Sequence, residues 1–119
     1  MLYRVTIAAL ALAAAPAAAQ TAPNGAALYA PCKVCHTIDK GGRNGLGPNL
    51  NGVVGRKAGT VPGFNYSAAM KSFAKPWTPA TLDAYLADPR KTIPNNKMIY
   101  PGLKDPAKRA ALIAWLKAQ

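Results

Sequence analysis

Cys32-Lys33-Val34-Cys35-His36 is the stretch on which the rest of the sequence turns. Two thiols separated by two residues and followed at once by an imidazole have a specific use. At that spacing both sulfurs add to the vinyl groups of one haem, and the histidine is carried round onto its iron. Three other uses of the pair fit less well. Structural zinc needs four ligands, whereas His36 is the single histidine and the four acidic residues, all Asp, are scattered. A dithiol redox pair expects a βαβ setting, which the pattern lacks. A disulfide across two intervening residues closes too small a loop to stabilise much. The motif therefore specifies one haem c, attached through Cys32 and Cys35, with His36 as a metal ligand.

Upstream of the motif, Met1 to Arg4 carry one positive charge and Val5 to Ala15 are almost wholly apolar. Pro16 breaks that run before Ala17-Ala18-Ala19, an A-x-A site. Residues 1–19 read as a secretory signal peptide cut after Ala19, leaving one domain over 20–119 and a periplasmic address. A retained anchor fits less well, because a span needs about 20 consecutive apolar residues.

Downstream, Gly41-Gly42, Gly45, Gly47-Pro48, Gly52, Gly55, Gly59 and Pro62-Gly63 punctuate the chain so often that no helix or paired strand is expected there. Three segments read as helices. Asn24 or Gly25 can cap one that runs toward the cysteines. Thr78-Pro79 opens a second, with Leu82, Tyr85 and Leu86 on one face, and Asp88-Pro89 is expected to stop it. Asp105-Pro106 opens a third, which turns Leu112, Trp115 and Leu116 inward and leaves Lys108, Arg109 and Lys117 to solvent. A shorter turn follows Ser67, from Ala68 to Phe73. The pattern is all-α with long loops, and loops of that length need something to pack on.

If the iron is six-coordinate, methionine is the natural choice for the second axial ligand, since no other histidine exists. Met98 lies in a loop, Ile93-Pro94-Asn95-Asn96-Lys97-Met98-Ile99, whereas Met70 lies in a helical Ala-Ala-Met-Lys setting. Spacing favours Met98, because loops commonly carry site residues, and leaves Met70 as a core residue.

From Gly25 to the C-terminus the chain resembles class I cytochrome c, in its mitochondrial-like bacterial branch. The resemblance rests on the haem motif with Gly47-Pro48-Asn49-Leu50, Gly55-Arg56-Lys57-Ala58-Gly59, Pro62-Gly63-Phe64-Asn65-Tyr66, Trp77, Tyr85-Leu86 and Ile93-Pro94 ahead of Lys97-Met98. It implies three main helices, short helical turns and long loops wrapped round the haem. His36 would be the proximal ligand, its other ring nitrogen donating to the Pro48 carbonyl, and Met98 the distal one, beside Tyr85. Arg56, Tyr66 and Trp77 would surround a haem propionate. Gly25 would pack against Trp115, where a Cβ has no room. Two departures concern the distal side: Asn96 replaces a Thr that bonds a propionate, and Met70 replaces a polar Asn.

The implied function is one-electron transfer without substrate turnover. An open distal site would instead mark a haem peroxidase or gas-binding protein, and a module dedicated to one dehydrogenase is a third reading. The chain has 15 Lys+Arg against 4 Asp+Glu, a net charge of +11 and a pI near 10.1. Arg90, Lys91, Lys97 and Lys104 match family positions round the haem edge, with Lys33, Lys40 and Arg43 near the motif. Such a field steers a monomer toward acidic patches on redox partners, namely a cytochrome bc-type complex, a terminal oxidase, a reaction centre or a dehydrogenase. Nucleic acid shows the same charge signature but does not fit a periplasmic address.

Overall fold

The computed structural model describes residues 8–15 and 23–119. The expected cleavage site at Ala17 to Ala19 lies outside them. Residues 8–15 form no helix and are exposed, and among the described residues no helix is long and apolar enough to cross a membrane.

Five α-helices and a 3₁₀ turn follow: α1 (Gly25–Tyr29), the 3₁₀ turn (Ala30–Val34), α2 (Ala68–Phe73), α3 (Pro79–Ala87), α4 (Pro89–Thr92) and α5 (Pro106–Lys117). Each α-helix opens on a side-chain oxygen that takes up amides with no partner inside the helix. Asn24 Oδ1 accepts from Ala26 and Ala27, Ser67 from Met70, Thr78 from Thr81, Asp88 from Lys91, and Asp105 from Ala107 and Lys108. Proline stands in the first turn of α3, α4 and α5, where its missing N–H costs nothing.

Asp88 ends α3 as expected, its amide donating to the Ala84 carbonyl, and its carboxylate at once caps α4, a short helix the sequence pattern did not announce. Asp-Pro therefore stops one helix and starts the next. The glycine-rich segment is not wholly unpaired. Lys57 and Pro76 form an isolated antiparallel bridge, flanked by bonds from the Trp77 amide to the Arg56 carbonyl at 2.8 Å and from the Ala58 amide to the Lys75 carbonyl at 2.9 Å. The exchange draws Arg56 and Trp77 together from 21 residues apart in sequence.

Helix α1 lies against α5, and α5 against α3. Tyr29, 1% exposed, stacks on Trp115 with ring centroids 4.7 Å apart. The rest of the core comprises Val53, Ala58, Trp77, Leu82, Tyr85, Ile93, Leu112, Ile113 and Leu116. Arg109, expected in solvent, is a staple. Its Nε donates to Asp83 Oδ1 at 2.8 Å and its Nη1 to the carbonyls of Leu103 and Lys104, both at 3.0 Å. Helical periodicity places Arg109 on a rim, and only the approach of α3 converts that rim into a junction.

At Gly25 the approach of α1 to α5 leaves no room for a side chain. An added Cβ would run into Trp115 Cβ and come within 2.7 Å of the Ala111 carbonyl oxygen. Alanine ordinarily favours a helix over glycine by about 1 kcal/mol, but overpacking against a backbone atom that cannot swing away costs about 1–3 kcal/mol. Gly25→Ala is therefore expected to lower the guanidinium midpoint of the haem-loaded protein, and an unchanged or raised midpoint would contradict this packing.

Candidate haem site

The cysteines of the motif lie on the 3₁₀ turn and just beyond it, where the amides of both Cys35 and His36 donate to the Cys32 carbonyl, at 3.1 and 2.9 Å. This tight turn keeps two half-buried, unpaired thiols and the imidazole on one short span. The following loop is laid along it. Gly47 N–H donates to the Cys35 carbonyl at 2.9 Å and Leu50 N–H to the Thr37 carbonyl at 2.8 Å. Between these two bonds the Pro48 carbonyl lies 2.7 Å from His36 Nδ1.

That contact fixes the tautomer. A carbonyl can only accept, so Nδ1 carries the proton and Nε2 keeps its lone pair. Burial lowers the pKa of the imidazole, against the Pro48 bond, and the nearby Arg56 charge lowers it further. The result is a neutral ring, the form that binds metal. Gly47 allows the ring to lie flat on the loop, since a Cβ there would collide with His36 Cε1 and sit 2.7 Å from Nδ1. Tyr29, which the sequence reading passed over, completes the support by donating from its hydroxyl to the His36 carbonyl at 3.2 Å. Burial pushes that phenol up to about 12, so it remains a donor. An aromatic five residues beyond a helix-capping Asn was its only sequence signal.

On the other side, Phe73, Trp77 and Tyr85 form a row with centroid separations of 5.4 and 5.0 Å. The Tyr85 hydroxyl then stands 3.9 Å from Met98 Sδ and 3.3 Å from Asn96 Oδ1. Burial pushes the Tyr85 phenol to about 12 as well. Met70 sits half-buried on α2, packed against the core cluster. Arg56 donates to the carbonyls of Asn49 and Asn51 at 3.1 and 3.2 Å, leaving donors of its five N–H for a further acid group. The Tyr66 hydroxyl accepts from the Val61 amide at 3.0 Å. Asn96 is different, because both its Nδ2 hydrogens go to carbonyls, of Pro89 and Ile93, and none remains for a propionate.

The donor set suits a haem. Among the described residues no three His, Cys, Asp or Glu side chains gather as they would for a bare metal ion. What the described residues offer instead is a thiol pair and an imidazole with a free Nε2 on one short span, and, packed on the core, the Met98 thioether with the half-buried apolar side chains of Leu50, Val54, Met70 and Leu86. Soft and imidazole ligands within apolar walls match an iron porphyrin.

Comparison with known proteins gives the class. The cytochrome c family model matches residues 22–119. Cytochrome c of Sesamum indicum is 56% identical over 86 residues, 72% of this chain and 78% of that one. Cytochrome c2 of Rhodomicrobium vannielii is 46% identical over 112 residues, 94% of this chain and 90% of its own. The structure of cytochrome cH from Methylobacterium extorquens superposes with a TM-score of 0.75 at 46% identity, covering 80% of this chain and 95% of that one. The chain belongs to the cytochrome c family, whose members transfer electrons, are not enzymes, and carry one covalently bound haem c.

Cys32 and Cys35 occupy the attachment positions. The haem is therefore expected to stay with the polypeptide through denaturing electrophoresis and acid-acetone extraction. Replacing both cysteines with alanine should make any bound haem extractable and sharply lower the yield of folded protein, because a chain this small buries only about two thirds of its unfolded surface. Haem extractable from the unmutated protein would contradict thioether attachment.

Proposed function

We propose that the chain is a diffusible periplasmic one-electron carrier whose haem iron is held between His36 and Met98. The observation that carries this reading is the pairing of an imidazole locked at Nδ1 by Pro48 with a methionine sulfur beside the Tyr85 hydroxyl. With His36 and Met98 both given to the iron, no coordination site would be left for a substrate. When bound, the haem supplies an Fe(II)/Fe(III) couple. The chain's part is to hold that couple still and set its potential. A thioether opposite imidazole raises the potential, and apolar walls disfavour the extra charge of Fe(III). Arg56, Tyr66 and Trp77 would receive a propionate, a role supported by the donors that Arg56 keeps free.

The periplasmic address rests on the apolar run and the A-x-A site, with cleavage after Ala19 leaving a domain from 20 onward. Partners are acidic faces on a cytochrome bc-type complex, a terminal oxidase, a reaction centre or a dehydrogenase. Among the basic residues matched to the haem edge, Lys97 and Lys104 are tied to backbone. Lys97 Nζ donates to the Asn65 carbonyl at 2.9 Å and Lys104 Nζ to the Ala87 carbonyl at 2.7 Å. Arg90 and Lys91, exposed in the last turn of α4, are the better probes of steering because changing them breaks no such strap.

Met98→Ala should abolish the weak sulfur-to-iron band at the red end of the oxidised spectrum, lower the potential by on the order of 0.1 V, and open the iron to cyanide and peroxide, given that axial ligands span about 0.8 V. Met70→Ala should leave band and potential in place and cost about 2–5 kcal/mol of stability at most. If the band instead disappears with Met70, the ligand assignment is wrong. Rapid peroxide turnover by the unmutated protein would sink the carrier reading.

For docking, the rate of reduction by a membrane cytochrome complex should fall steeply as salt brings the Debye length below about 10 Å. Lys91→Glu should slow association while leaving the potential nearly unchanged. A rate indifferent to both would remove the electrostatic argument.

A further inference from the structure

The loop that carries Met98 is built around one side chain. Pro94 and Asn95 occupy the two central positions of a turn closed by the Asn96 amide on the Ile93 carbonyl at 3.2 Å. Asn95 has φ +66°, so this is a type II turn with proline and asparagine where that turn favours them. Asn96 then turns its side chain back into the loop. Its Nδ2 donates to the carbonyls of Ile93 at 2.8 Å and Pro89 at 3.0 Å. Its Oδ1 accepts the Met98 amide at 2.9 Å, an Asx turn, and the Tyr85 hydroxyl at 3.3 Å. Two donors and two lone pairs are the full capacity of an amide, and all four are used inside the protein. The amide orientation is fixed by its neighbours, since a peptide N–H must meet an oxygen and a carbonyl must meet an N–H.

We propose that Asn96 is the positioning residue of the distal side: through the Met98 amide and the Tyr85 hydroxyl it sets how firmly the Met98 sulfur holds the iron, and so how readily an outside ligand displaces it. This rests on the reading of Met98 as the axial ligand. Two features single out Asn96 among the loop residues. It is the only described residue whose side chain bonds both the Met98 backbone and the hydroxyl that faces the Met98 sulfur. It also ties the loop to Pro89, a buried residue of α4, so displacement of Met98 from a metal has to break a tether to the folded core.

The test measures imidazole binding to the oxidised, haem-loaded protein together with the sulfur-to-iron band. Asn96→Ala should raise imidazole affinity at least tenfold and weaken the band, with haem attachment and far-ultraviolet dichroism retained. Asn96→Ser keeps a hydroxyl that can accept the Met98 amide but loses both tethers, so its affinity should fall between the two. If the alanine variant does not accumulate, the serine variant is read against the unmutated protein, with at least a threefold increase expected. A folded variant whose band and affinity stay within twofold of the parent would overturn the proposal and leave Asn96 a merely structural loop residue. An unmutated protein that lacks the band and already binds imidazole tightly would instead overturn the Met98 ligation on which the proposal stands.

Discussion

Every polar atom of His36 but one is already committed. Its amide donates to Cys32, its carbonyl accepts from Tyr29, and its ring Nδ1 donates to Pro48. Nε2 is the remainder, and the surrounding chain is arranged so that this atom alone is offered. The Gly47-Pro48-Asn49-Leu50 loop must approach closely enough to present the Pro48 carbonyl, which is why position 47 has no Cβ. Tyr29 must be buried deeply enough to reach the His36 carbonyl, which in turn requires α1 to close on α5 at Gly25 and Trp115. The crossing of α1 and α5 is thereby linked to the ring's orientation. Loss of contact there would be felt as a reoriented ligand as well as lost stability.

The two sides of the site are supported by different means. On the histidine side the support is backbone laid along backbone, with amides of the 45–50 loop bonded to carbonyls of 35–37. On the methionine side the loop that carries Met98 is short and held by side chains, namely Asn96, Tyr85 and the Lys97 bond to Asn65. Several bonded backbone segments hold the first, whereas the second depends on a few side-chain bonds. In the proposed ligation the methionine would therefore exchange before the histidine, and resistance to that exchange would fall to the side chains of the distal loop.

Local chemistry made much of this legible. The haem motif is contiguous, the caps at Asn24, Ser67, Thr78 and Asp105 lie within three residues of the amides they satisfy, and Met98 follows a proline-punctuated turn. What escaped the reading depends on contacts between distant segments. Arg109 meets Asp83 across 26 residues, Trp77 meets Arg56 across 21, and Tyr29 becomes a support for His36 only once α5 has buried it. The second role of Asp88, opening α4 after ending α3, was hidden for another reason. Asp-Pro is both a stop and a start signal, and a sequence pattern does not say that one residue serves as both when the chain bends between two helices.

The charge balance follows from how those few acids are spent. Asp88 and Asp105 cap helices, where a carboxylate also favours the positive end of the helix dipole. Asp83 forms the single ion pair among the described residues. The cations that do structural work mostly bond carbonyls instead: Arg56 those of Asn49 and Asn51, Lys97 that of Asn65, and Lys104 that of Ala87. A carbonyl satisfies a donor without cancelling its charge. The fold thus fastens loops with lysine and arginine while leaving nearly all of the net +11 to act on the surroundings. Had the same straps been made with carboxylates, each would have removed one unit of the field, and the protein could not have been both tightly fastened and strongly positive.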